Sequence, residues 1–217
     1  MSERFTEHLR DLAEPDWSEA ATHRFTRELM DGTLAPDIMA RYLVQDHRFV
    51  DRFLMLIGAA MATSDRFESR LRLARFAGLV AGEENTYFER AFEALGVSAE
   101  RRASEPDSAA TAGFKALMRD AAEHRSYAAA LSVLAVAEWL YLDWASRAPT
   151  PLPDGFVHRE WITLHDNPGF RDFVAFLRIE LDRVGPQERA LCETLFRRAV
   201  ALERAFFDAA YDAPRPA

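Results

Sequence analysis

Apolar positions recur at spacings of three and four along almost the whole chain, and no stretch alternates apolar with polar over the length of a strand. The pattern therefore predicts helices throughout. A short first helix is expected over Glu3–Ala13, stopped near Pro15, and a second over about Trp17–Met30, closed by Gly32. Pro36 opens a third, with Asp37 in its first turn, that continues to about Ala62. Ser64 and Asp65 offer a cap for a fourth, Asp65–Leu95, ended by Gly96 and bent at Gly78 and Gly82. The polar segment Ser98–Ser108, which carries Pro106, reads as a surface loop before a fifth helix over roughly Asp107–Glu123. A long apolar helix follows over Tyr127–Ala145. Pro149, Pro151 and Pro153 then make a stiff connector, and Asp154 can cap a helix over Gly155–His165. Asn167-Pro168 reads as cap plus first residue for Pro168–Val184, Gly185-Pro186 as a turn, Gln187–Tyr211 as the last helix and DAPRPA as a frayed tail. The expected architecture is an all-α bundle.

Tyr127–Ala145 organises the rest. It holds strong helix formers, no Gly and no Pro, and shows apolar residues on every face, which marks a helix buried all round. Ser132, Glu138 and Asp143 interrupt it and many of its apolar residues are alanines, so it reads as a core helix, not a membrane span. A charge midway along a buried helix is costly, which makes Glu138, with Tyr141 one turn later, the first place to look for function.

Two further carboxylates stand where apolar residues belong. The third helix carries the stripe Ile38, Tyr42, Asp46, Phe49, Phe53, Ile57, and the last helix carries Cys192, Phe196, Ala199, Glu203, Phe206, Ala210. A single inward carboxylate is most often paired with a buried Arg or hydroxyl. Three from three helices look like a site built between facing helices. Burial raises a carboxyl pKa, and a carboxyl tuned upward can exchange protons near neutrality. Glu84 is a weaker candidate. The aromatic residues Phe49, Phe114, Tyr141, Trp144 and Phe207 accompany the carboxylates and, beyond ordinary packing, could stack on a flat heterocycle.

Other chemistries find less support. No Glu-x-x-His or His-x-x-x-His spacing occurs, so no metal is expected. Cys192 has no basic neighbour in sequence to lower its pKa and reads as a core thiol, and no Gly-rich phosphate loop is present. Composition and charge narrow the picture further. The 217 residues are 49% hydrophobic, enough for one domain with one large core. A formal net charge of −8 with no basic cluster argues against nucleic acid and against an anionic membrane surface. The lone cysteine fits a reducing compartment, and MSERFTEHLRDLAEPD has no basic-then-apolar leader pattern, so a cytoplasmic protein is expected.

Several stretches resemble one family. His23-Arg-Phe25, Asp31-Gly-Thr-Leu34 and Tyr42-Leu-Val-Gln-Asp46 are similar to the N-terminal signature of the TenA family. Glu138-Trp-Leu-Tyr141, Trp161-Ile162 with His165 and Phe170, and Glu203 follow in the family's order, from about residue 20 to 211. The resemblance implies an all-α, haem-oxygenase-like helical bundle over 1–217, assembled as a homodimer or homotetramer. It implies the activity called thiaminase II, or aminopyrimidine aminohydrolase, which salvages the pyrimidine half of degraded thiamine by hydrolysis and needs no cofactor.

Carried over by position, Asp46 resembles the aspartate that binds the aminopyrimidine, Glu203 the glutamate that acts as acid or base, and Tyr141 a site tyrosine. Phe49, Phe114, His165 and Phe207 would complete the substrate walls. The family's nucleophilic cysteine falls at Ala137, and tyrosines are replaced near Phe114 and at His165 and, relative to some members, at Phe49. The resemblance is therefore to the cysteine-less class, in which glutamates take over, with Glu138 as the second acid and a formylaminomethyl or aminomethyl pyrimidine as substrate. The rival expectations are a haem-binding or oxidative protein using His23 as axial ligand, and a non-catalytic pyrimidine binder or regulator.

Overall fold

A computed structural model describes residues 4–212. The predicted helix start at Glu3, and residues 213–217 of the predicted frayed tail, lie outside the described residues. Twelve α-helices make up the order among them: α1 Phe5–Leu12, α2 Asp16–Ala21, α3 Arg24–Met30, α4 Pro36–Thr63, α5 Phe67–Leu79, α6 Asn85–Ala94, α7 Ala99–Ser104, α8 Ala109–Glu123, α9 Tyr127–Ala145, α10 Phe156–His165, α11 Pro168–Val184 and α12 Arg189–Ala209. A π-helical turn, Val80–Glu84, joins α5 to α6, and a 3₁₀ turn, Gly185–Glu188, joins α11 to α12. No strand occurs among the described residues.

The centre is α9. Every residue from Tyr127 to Tyr141 is buried, as are Trp144 and Ala145. The helix is long and apolar enough to cross a membrane, yet 89% of its apolar window is buried inside the protein. That is the environment of a core helix, with α2, α4, α8, α10, α11 and α12 packed around it. Ser126 starts it by accepting a hydrogen bond from the Ala129 N–H. Around this axis α4 pairs with α8 and α12 packs on both α8 and α2. A Cβ at Gly113 would lie 2.8 Å from Leu202, so glycine there lets α8 approach α12 closely.

The expected segments divide in three places. The second predicted helix splits into α2 and α3, because the His23 side chain accepts the Phe25 N–H and caps α3 from within the run. The fourth splits at the π turn. Its proposed caps do other work, since Ser64 bonds the Arg66 backbone and Asp65 pairs with Arg183 at 2.7 Å. The predicted loop over Ser98–Ser108 contains α7, capped by Ser98. Asp154 does not cap α10. Asn167 caps α11 through the Phe170 N–H as its spacing suggests. Gly32 and Gly96 both hold positive φ, 69° and 65°, where α3 and α6 end.

Candidate active site

The stripe on α4 turns Asp46 inward, and α12 turns Glu203 to meet it. Both line a hollow between the helices, with Glu138, Tyr141 and Ala137 from α9. Glu84, the last residue of the π turn, also lines it, as do Trp161 and His165 of α10, Phe114 of α8 and Phe206 of α12. Phe49, Val50 and Phe53 of α4 complete the wall. π-helical insertions often sit at functional sites, where they re-aim one side chain.

Asp46, Glu138 and Glu203 are 6%, 7% and 3% exposed. Glu84 is half-buried. Among the described residues none of the four carboxyls pairs with an Arg, Lys or hydroxyl, and no Arg or Lys lines the hollow. Burial therefore acts unopposed. It pushes Asp46, Glu138 and Glu203 well above the carboxylate range, and the neighbouring carboxylates add to the effect. Burial raises Glu84 to about 7.

The remaining polar groups are ordered. The Tyr42 and Tyr141 hydroxyls are hydrogen-bonded at 2.7 Å, tying α4 to α9 beneath the carboxylates. Burial raises both phenols far above their usual range, so both stay protonated. Burial lowers His165 to about 4 against the opposing pull of the Trp161 carbonyl. Its Nδ1 lies 2.8 Å from that carbonyl oxygen, which makes Nδ1 the donor and leaves Nε2 as an acceptor. The buried indole N–H of Trp161 has no hydrogen-bond partner among the described residues. A group of this kind can bind a flat, nitrogen-rich ring between aromatic faces and exchange protons with it.

The structure brings together Asp46, Glu138, Glu203, Tyr141, Phe49, Phe114 and His165, all expected from sequence. Phe207 is a correction. It is fully buried behind the lining, stacked on Phe25 at 5.2 Å and on His23 at 5.7 Å, because α3 supplies an aromatic bed for it. Phe206 faces the hollow instead. Trp144, read as a companion of the carboxylates, packs against Tyr141 and His165 from outside the lining. Sequence reasoning passed over Trp161 and Phe206 in the lining and Tyr42 behind it. Two of the three had a signal, Tyr42 one turn before Asp46 and Phe206 one turn after Glu203.

His23 does not reach the hollow. Its Nδ1 accepts the Phe25 N–H at 3.0 Å and its Nε2 lies 3.0 Å from Asp208, so both ring nitrogens are engaged and neither is free to be an axial haem ligand. Cys192 is buried at the other end of α12, with Sγ 3.7 Å from the Gly185 carbonyl oxygen and its thiol pushed up by burial. It does not line the hollow, whereas the methyl of Ala137 does.

Comparison with known proteins gives the family and the fold. The chain belongs to the TENA/THI-4/PQQC family, whose model matches residues 10–213. It is 22% identical to the aminopyrimidine aminohydrolase of Halalkalibacterium halodurans over 215 residues, covering 96% of each chain. It is 25% identical to the aminopyrimidine aminohydrolase of Bacillus subtilis over 173 residues, covering 79% of this chain and 72% of that one. A TenA homologue from P. horikoshii has the same fold, with a TM-score of 0.86 at 19% identity over 96% of this chain and 99% of that chain. The fold is thus the all-α, haem-oxygenase-like one, and the chain is a TenA-like enzyme.

Proposed function

We propose that this enzyme hydrolyses a carbon–nitrogen bond exocyclic to a small aminopyrimidine, in salvage of degraded thiamine, without a cysteine nucleophile. The observation that carries the reading is the set of unpartnered carboxyls in one aromatic hollow. Buried carboxyls without partners are costly, and a bound ring with N–H donors or positive charge supplies the missing partner. Asp46 accepts hydrogen bonds from the exocyclic amino group and from a protonated ring nitrogen, between Phe49, Phe114 and Tyr141, whose hydroxyl is held from behind by Tyr42. The ligand's positive charge draws the nearby carboxyls down, so that Glu203, with Glu138 beside it, ionises and takes a proton from water. The water oxygen bonds to carbon, the C–N bond breaks, and a still-protonated carboxyl of the hollow gives its proton to the leaving nitrogen. Ala137 supplies no thiol at the hollow, and Cys192 lies outside its lining, so water itself is the nucleophile.

The two candidate substrates are the formylaminomethyl and aminomethyl pyrimidines, and work as a cytoplasmic homo-oligomer is part of the same reading. The test is a panel assay with thiamine and both pyrimidines. The reading expects turnover of one or both pyrimidines and little of thiamine. Tight binding with no hydrolysis would replace it by a pyrimidine-binding protein.

A further inference from the structure

The carboxyl hollow adjoins a second, outer hollow between the π turn, α5 and α11, walled by Phe76, Leu79, Phe170 and Phe173. Two side chains line both hollows, Glu84 and His165. A proton entering the inner hollow from outside by this route passes one of them. His165 is a poor carrier, because Nδ1 is tied to the Trp161 carbonyl and burial holds the ring neutral. Glu84 has no such tie, is less buried than the other three carboxyls and sits on the widened π turn.

From this arrangement we infer that Glu84 is the acid that protonates the leaving nitrogen and is recharged from water in the outer hollow. The inference rests on the proposed hydrolysis and completes its proton balance. Glu203 takes one proton from the attacking water, and as the C–N bond breaks the Glu84 carboxyl gives one to the nitrogen. Glu84, now a carboxylate, takes a proton from solvent, while the proton on Glu203 leaves with product or solvent. The titratable groups facing Glu84 are Asp46 on α4, Glu138 and Tyr141 on α9, His165 on α10 and Glu203 on α12, with Glu83 beside it on the outer hollow. Burial raises the Glu84 carboxyl to about 7, and no Arg or Lys lines either hollow to oppose it.

The experiment is a pH profile of kcat for wild type, Glu84→Gln and Glu84→Asp, with two substrates that differ only in the basicity of the leaving amine. In wild type kcat falls as pH rises through about 7. Glu84→Gln lowers kcat by about 10²-fold or more for the basic leaving group, with KM little changed and that limb of the profile gone. The loss is much smaller for the weakly basic leaving group, which needs no acid, and Glu84→Asp recovers part of the rate. An unaltered profile in Glu84→Gln overturns the inference, as does an equal loss for both leaving groups. Wild type that turns over neither substrate overturns the proposed hydrolysis itself, and the inference with it.

Discussion

Glu180 and Glu203 are equally buried, at 3% exposure, and are held in opposite states. Glu180, on α11, accepts from Arg183 at 2.7 and 3.0 Å, from the Ser69 hydroxyl at 2.8 Å and from Tyr127 at 3.2 Å. Burial pushes its carboxyl up, but those hydrogen bonds and the Arg183 charge outweigh it and hold the pKa below the ordinary value. Glu203 has no such partners, and burial beside Asp46 raises it. Depth alone therefore does not mark a functional carboxylate. A buried acid with its partners in place is part of the scaffold, and one without them that borders a hollow is the one to test for ligand contact.

The comparison breaks most sharply under substitution. Glu203→Gln should lower kcat by about 10²–10⁴-fold, the usual worth of one proton-transfer group, with stability unchanged or raised. Glu180→Ala should do the reverse. Breaking a buried pair commonly costs about 3–5 kcal/mol, and about 2–4 is expected here because Arg183 keeps Asp65 as a partner. Urea unfolding checks the second effect, and activity per folded molecule checks that catalysis survives it.

The two regions also respond to pH with opposite signs. The Glu180 contribution is present above the unfolded carboxyl value and is lost as pH falls through its lowered folded value. Glu84, raised to about 7, stabilises fully below the unfolded value of 4.5 and less as pH rises through 7. Glu84→Gln should therefore raise Tm above neutrality and flatten its pH dependence, by at most about 3 kcal/mol at roughly 1.4 kcal/mol per pKa unit. A Tm that declines just as steeply in the variant would contradict the assignment.

Binding sharpens the contrast further. An aminopyrimidine that partners the hollow carboxyls should release on the order of one proton near neutral pH, seen as a calorimetric enthalpy that depends on the buffer's own ionisation heat. The smallest effect is expected at Cys192. Cys192→Ala should leave turnover unchanged and cost about 1–2 kcal/mol of stability, the usual range for a core truncation. A collapse of turnover in that variant would return a thiol to the mechanism.

Much of the site was legible because helical spacing is a strong signal. Asp46 sits between Tyr42 and Phe49 on one stripe and Glu203 between Ala199 and Phe206 on another, so a polar residue in an apolar row could be seen without coordinates. Glu180 shows the limit of that signal. Only the fold brings Ser69 and Tyr127 to it, so sequence cannot tell a satisfied carboxylate from an unsatisfied one. Phe206 and Phe207 are adjacent, and which ring faces the hollow depends on Phe25 of α3 offering Phe207 a stacking partner. The π turn was hidden for a related reason. Gly78 and Gly82 signalled a departure from regular helix, but a bend and an inserted residue leave the same trace in sequence.

The most direct measurement is single-turnover release of the exocyclic nitrogen from an aminopyrimidine by Cys192→Ala and by Cys192→Ala combined with Glu203→Gln, both confirmed folded. The account predicts wild-type release in the first and a loss of about 10²-fold or more in the second. Equal rates in the two proteins, or no release once the sulfur is gone, would contradict it.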